Sequence, residues 1–471
     1  MTTMTKPNIK ETKFIDSITG SYTLSSIDFI KRKQELALIK LQELGFPNRK
    51  SEDWKYFDFS DILSKEYIVG GTAQVESSSG LSIQELNELV DKYVYRETVD
   101  QLLVTVNGAY SPQLSNFNFN NTGIHILNFN DPAALTPEAQ TITQKMFASN
   151  LEGESKYFKA INTLLMTNGF LLYLEDNFIS DKPLQILHIS NRNNFNQMRS
   201  LIYAGKHSKL DIIVNYIGLE DSQYLTNAVI ELHLAQGAQI KLDKIQNESK
   251  QASCLYTLDA KLDKDSNFEF NSFSFGAKSS RDDITVDINA EGAHASINGL
   301  YVLNQERKSH HKVRVNHRAG YSTSEQLFKG LLQGKSRAEF NGLIEVYRDA
   351  QKTNATQLNK NLLLCKEAHI DSRPQLNILA DDVKCSHGST VGSLSPDELF
   401  YLQSRGLDEL SAKAILTYSF ARELISKISV ESAQNYATNL AFSSLRSHDD
   451  ESSTTLDALV DNNKYKKARY Q

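Results

Sequence analysis

The run ADDVKCSHGSTVG, residues 380–392, holds a thiol and an imidazole two positions apart. On an extended strand residues i and i+2 share a face, so Cys385 and His387 would stand side by side, roughly 7 Å apart at their Cα atoms. Both groups bind transition metals. A structural zinc or an iron–sulfur cluster takes four ligands, mostly thiolates in the second case. The chain has three cysteines and no C-x-x-C pair, so Cys385 and His387 supply two ligands at most. The spacing leaves two readings open: a buried thiol beside a satisfied histidine, or half a site completed by another chain at an interface.

Other chemistry-bearing stretches are weaker. GLLQGKS, residues 330–336, places three residues between its glycines where a phosphate-binding P-loop needs four. The following RAEFNGLIEVY alternates like a strand instead of opening a helix, so a turn is expected. His310, His311 and His317 cluster in HHKVRVNH, but Lys308, Lys312, Arg314 and Arg318 would repel a metal cation. A solvated basic surface is expected there, with a role in partner contact left open. Cys254 and Cys365 have apolar neighbours and read as buried structural thiols. No G-x-S-x-G elbow supports serine catalysis.

Three kinds of region position these residues. The first, 1–155, is mixed and helical. Ser25 or Ser26 could cap a helix whose face carries Ile30, Ala37, Leu41 and Leu44 and which Gly45 and Pro47 stop. Ser82 and Glu85 form a capping-box pattern ahead of a second helix. Between 156 and 393 the texture becomes short, alternating and β-branched. There a turn, a small residue and an alternating apolar run recur, the small residue being Ser208, Ala238, Ser266, Ala293, Ser336 and Ala368. Their spacings of 30, 28, 27, 43 and 32 residues are irregular but fit stacked coils with tight corners. A parallel β-helix is favoured over a long antiparallel sandwich. Residues 394–438 are helical again, with Ser395 as N-cap, Pro396 at N1, Glu398 completing a capping box and Gly406 closing the helix. A further helix should bury Leu410, Ala414, Tyr418, Ala421, Ile425 and Ile428 on one face. Residues 439–471 read as a polar, mobile tail.

The whole composition excludes several classes. A chain of 471 residues with 40% hydrophobic and 23% charged residues and a net charge of -6 gives no reason to expect nucleic-acid binding. No apolar run approaches the ~18 residues that span a bilayer. The N-terminus lacks the order of a secretory signal, and few cysteines suit a reducing compartment, so a cytoplasmic location is expected.

Five continuous stretches carry a family resemblance: GLYVLNQ, SEQLFKGLLQGKSRAEFNGLIEV, AQKTNATQLNKNLLL, RPQLNILADDVKCSHGSTVG and LFYLQSRG, between about 299 and 406. Fainter echoes lie in RKSEDWKYFDFSDI, LVTVNGAYSPQLS and DKPLQILHIS. In these the chain resembles the SufB/SufD family of the Suf iron–sulfur cluster assembly system, and its SufD branch, since SufB-type chains differ at the KCSHG motif and carry more cysteines. The resemblance implies a mainly β fold, a right-handed parallel β-helix flanked by N-terminal and C-terminal helical regions. It implies a non-catalytic scaffold subunit that pairs with SufB through the β-helix, the helices at 395–406 and 408–428 docking the SufC ATPase. The motif's histidine falls on His387, implicated in holding a nascent Fe–S cluster at the SufB interface, with Cys385 the weaker candidate. ATP would be bound by SufC alone, and the isolated chain would carry neither metal nor cofactor. A homodimer in the absence of SufB stays open. Cys365 stands where the family commonly has serine. Two other functions remain in view: a polysaccharide-active β-helical enzyme, which would need clustered acids or a calcium site, and a stand-alone metalloenzyme using the Cys-x-His pair.

Overall fold

A computed structural model describes residues 9–47, 49–69, 79–117, 123–129, 136–152, 156–166, 168–219 and 221–445. The expected polar tail lies outside them from residue 446 onward; before that, the helix Glu431–Leu445 continues past position 438.

From about residue 184 the chain winds as a parallel β-helix. Successive strands alternate between two sheets, so each pairs with the strand after next: Lys209–Gly218 with Gln239–Asn247, and Leu225–Leu234 with Ser253–Leu262. Every pair from there to the last strand is parallel, and no sandwich forms. Antiparallel pairing is confined to the N-terminal end, where Gln101–Val106 meets Ala109–Tyr110 and Ile124–Asn128 meets Phe170–Leu174.

The in-register stacking follows from the corners. Ser208, Ala238, Ser266 and Ala293 precede strands of one sheet and are buried, because a larger side chain could not sit against the coil below. Ser322 and Thr353 continue that column, both buried, whereas Ser336 and Ala368 belong to the corners of the other sheet. The longest step in the sequence spacing is therefore a switch between sheets. Gly334, a glycine of the apparent P-loop, turns at φ +66° where a Cβ would lie 2.8 Å from Gln305 N in the coil beneath. It is a turn glycine between the strands Thr323–Leu332 and Arg337–Val346, as expected.

Inside, like residues stack in columns. Leu210, Ile240, Phe268 and Ala295 form one and Ile212, Leu242, Phe270 and Ile297 another, all in the main apolar core. Each fully buried side chain of this size contributes about 1.5–3 kcal/mol. Towards the C-terminal end the second column turns polar: Ile297 is followed by Gln326, Gln357 and His387.

Two helical layers cover the outside. Trp54, Phe57, Phe59 and the wholly buried helix Tyr157–Leu165 pack on the first sheet through Phe195, Leu201, Leu225 and Leu255. That joint is also ionic: Lys159 reaches Asp259 at 2.5 Å and Glu231 at 2.7 Å, and Glu231 also pairs with Arg199. On the second sheet Ala421, Leu424, Ile425, Ile428, Val430 and Ala433 cover Ile213, Ile245, Phe273 and Leu300.

Local expectations meet mixed outcomes. Ser82 and Glu85 form the full capping box, and Ser395 Oγ accepts from Glu398 N–H at 3.4 Å. The early helix starts at Asp28, with Ile27 at the cap; Ser25 Oγ instead accepts from Ile27 N–H at 3.1 Å, making a turn before the helix. In the helix Glu409–Ile425 the buried face runs through Thr417, Ala421, Leu424 and Ile425, while Leu410 is exposed. In its first turn Ser411 and Ala412 are the buried residues instead.

Candidate functional site

Among the described residues the final strand Lys384–Gly392 pairs on one side only, with Asn354–Leu363, and closes the order of the second sheet. His369–Ile378 likewise ends the first sheet, paired only with Arg337–Val346. The β-helix therefore ends in two open edges around a mouth. Register sets Cys385 above Ala355 and His387 above Gln357, so both follow inward-facing columns into the last coil. The spacing argument holds: the two residues share a face.

Their environments differ. Cys385 is half-buried against Ile344, Val346, Ala350, Ala355 and Ala380. Burial pushes its thiol up, more than the backbone hydrogen bond at Ala355 pulls it down. The thiol is protonated near neutral pH, and a metal ion must displace that proton before sulfur becomes a ligand. His387 is exposed, and among the described residues no hydrogen bond or ion pair occupies its imidazole. The reading of a satisfied histidine beside a buried thiol thus fails at the histidine.

The surrounding polar groups are mostly bonded to one another. Ser389 Oγ donates to Ser372 Oγ at 2.8 Å, which donates to Asn359 Oδ1 at 2.7 Å. Arg373 pairs with Glu339 at 2.8 Å, and Glu339 with His310 at 3.0 Å. Among the described residues no three His, Cys, Asp or Glu side chains come together as a metal-binding group. Among the described residues the mouth offers an unpartnered imidazole and one thiol. Around it Leu358, Ile378, Leu379 and Val391 are exposed, an apolar rim beside unpaired strand edges. Such an edge is a template for another strand. Just beyond it, the helix Pro396–Ser404 buries none of its residues and exposes Phe400 and Tyr401.

The three histidines of HHKVRVNH are not a solvated surface. His310, His311 and His317 are all buried. Alternation along Lys308–His317 turns His311, Val313, Val315 and His317 inward and leaves Arg314 outside. His310 faces out but lies beneath Phe57, 5.1 Å between ring centroids. Burial depresses His317 to about 4, so it is neutral at physiological pH. Cys254 is buried as expected, its thiol pushed well up by burial and then by Glu248; Cys365 is only partly buried.

Sequence reasoning missed an ionic core within the β-helix. Lys244 and Asp282 project from opposite sheets into the interior and pair there, with Ser272 donating to Asp282 at 2.8 Å. The signal was present in QIKLDKIQ, where Ile240, Leu242, Lys244 and Gln246 share a face.

Comparison with known proteins now meets this geometry. Residues 187–420 match the profile described as SUF system FeS cluster assembly, SufBD core domain, and residues 12–186 match SufBD protein N-terminal region. An iron–sulfur cluster assembly SufBD family protein of Synechocystis is 28% identical over 422 residues, 85% of this chain and 88% of the relative. The iron–sulfur cluster assembly protein SufD of Escherichia coli is 28% identical over 394 residues, 82% and 86% of the two chains. The SufD protein of Bacillus subtilis is 23% identical over 416 residues, 86% and 91% of the two. The two profiles together span the N-terminal region from residue 12, the β-helix, the helix Pro396–Ser404 and most of Glu409–Ile425, and the chain belongs to the SufBD family of iron–sulfur cluster assembly proteins.

Proposed function

We propose that this chain is a non-catalytic subunit that pairs, through the open end of its β-helix, with a SufB-type chain, and that His387 holds part of a nascent iron–sulfur cluster at that junction. The cluster is cargo, built there and passed on. The observation that carries the reading is that, among the described residues, the strand ending the second sheet at its C-terminal end bears both Cys385 and His387, facing inward at an open mouth. His387 presents an exposed imidazole with no hydrogen bond or ion pair among the described residues, whereas Cys385 must first lose a proton. The apolar rim of Leu358, Ile378 and Val391 would be covered by the partner's edge strands.

The helices after the β-helix serve the ATPase subunit, SufC. Phe400 and Tyr401 stand exposed on a helix that buries none of its residues among the described ones, and Lys329 ties the next helix to the β-helix through Glu423 and through Phe420 O at 2.9 Å. Movement driven by ATP at SufC would reach the β-helix through that tether. Three unpaired cysteines accord with a reducing, cytoplasmic setting.

The test is purification of the tagged chain from its native cells under anaerobic conditions, with identification of what accompanies it. Recovery of a SufB-type chain and an ATPase supports the reading. Recovery of the chain alone, with its own tightly held stoichiometric metal, would favour a stand-alone metalloprotein.

A further inference from the structure

The residue beneath His387 is unusual in its placement. Gln357 is fully buried on the penultimate strand of the second sheet, one position below His387 in the same inward column. Its Nε2 donates to Oε1 of Gln326, the next residue down, at 2.8 Å. Its own Oε1 is buried and, among the described residues, has no hydrogen-bond partner. A buried carbonyl oxygen left without a donor is unfavourable.

The amide is also fixed in position. It crosses the interior to Gly342 on the opposite sheet, where a Cβ would fall 2.2 Å from Gln357 Nε2 and 2.9 Å from Oε1. A side chain at position 342 would displace the amide from this place. Gln357 thus bonds the oxygen of the residue below through its nitrogen and keeps its own oxygen for a donor from above, while the nitrogen of Gln326, over Ile297, has no partner among the described residues. Above Gln357, the next residue in the column is His387, whose backbone lies one strand spacing of about 4.8 Å away.

We propose that Gln357 is a positioning residue for His387: its Oε1 accepts the imidazole N–H, fixes the ring's tautomer and turns the other nitrogen outward to the paired chain. The inference rests on the reading of His387 as a donor at the junction. An imidazole that binds metal through one nitrogen is commonly oriented by the bond its other nitrogen makes. Here the exposed ring swings onto a buried acceptor already waiting for it, and partner docking excludes the water that competes for that bond.

The experiment uses the complex co-expressed with its SufB-type and ATPase subunits, with only this chain's histidines carrying nitrogen-15. Magic-angle-spinning NMR of the sedimented complex reads the ring nitrogens, and the His387 signals are those lost in His387→Ala. The wild type should show one tautomer. Gln357→Met keeps the volume and removes the acceptor, so the minor tautomer should rise at least fivefold. Gln357→Asn, whose amide is one methylene too short, should behave alike, and Gln357→Glu should keep a single tautomer. Equal tautomer populations in wild type and both shortened or apolar variants would overturn the proposal. Iron and sulfide content of the His387→Ala complex separates this from the underlying reading: unchanged content removes His387 from assembly even if Gln357 orients it.

Discussion

Removing the Asp282 carboxylate should destabilise the β-helix severely. Lys244 and Asp282 have side chains 1% and 2% exposed, so neither charge is screened by solvent. The ammonium lies 4.4 Å from the centroid of Tyr256, and Asp282 is 3.5 Å from His311 Nδ1. Burial alone would raise the Asp282 carboxyl; Lys244 and the nearby His311 override it and hold the group well below the usual carboxylate range. Asp282→Ala strands a buried ammonium, for which the cost is about 3–5 kcal/mol. Lys244→Met with Asp282→Leu removes both charges at similar volume and should fall within about 1 kcal/mol of wild type, or above it. Urea unfolding followed by circular dichroism gives the difference, with the slope checked for loss of two-state behaviour in a stacked fold. The pH dependence has a defined sign. A carboxyl depressed in the folded state stabilises fully above its unfolded value near about 4, and that stabilisation is lost as pH falls towards the folded value. Asp282→Ala within about 1 kcal/mol of wild type, or a double variant as unstable as the single one, would refute the reasoning.

Asp243 should give the opposite pH response at the joint with the C-terminal helices. Burial raises its carboxyl to about 6, although Asn271 and Ser429 hydrogen-bond it. With the folded value raised, stability is fullest below about pH 4 and falls by about 3 kcal/mol as pH rises through 6. Hydrogen exchange across 409–445 should therefore quicken from pH 5 to 7 beyond the intrinsic rate, and Asp243→Asn should flatten the change; a flat wild-type profile would contradict it. Phe400→Ser combined with Tyr401→Ser should leave unfolding within about 0.5 kcal/mol of wild type, because these side chains are 72% and 57% exposed. Capture of the ATPase subunit should nonetheless weaken about tenfold, a loss of about 1.4 kcal/mol. Unchanged capture by calorimetry would move the docking surface elsewhere.

How far the sequence reveals this molecule depends on which face a residue takes. The coils were legible from small corner residues such as Ser208 and Ala238, because steric exclusion at a corner acts on one residue at a time. The helix after Asp28 was legible from its period, while its cap was not: Ser25 bonds a backbone N–H two residues on and makes a turn. The histidines of HHKVRVNH were misread because the lysines and arginines around them suggest solvent, whereas the period of two assigns His311 and His317 to the inside. Lys244 escaped notice for a related reason, since a lysine in an inward column makes sense only with Asp282 opposite it, a pairing set by tertiary register. Cys385 and His387 could be placed on one face from spacing alone. That this face lies at an open mouth, above an unsatisfied Gln357 oxygen, required knowing which strand comes last.

The central claim is that His387 serves cluster assembly at a junction with a partner chain. The most direct measurement is iron and acid-labile sulfide in the anaerobically purified complex, wild type against His387→Ala, with subunit stoichiometry measured on the same samples. The expected result is unchanged stoichiometry with iron and sulfide reduced at least fivefold. Equal iron and sulfide in an intact complex would contradict the account.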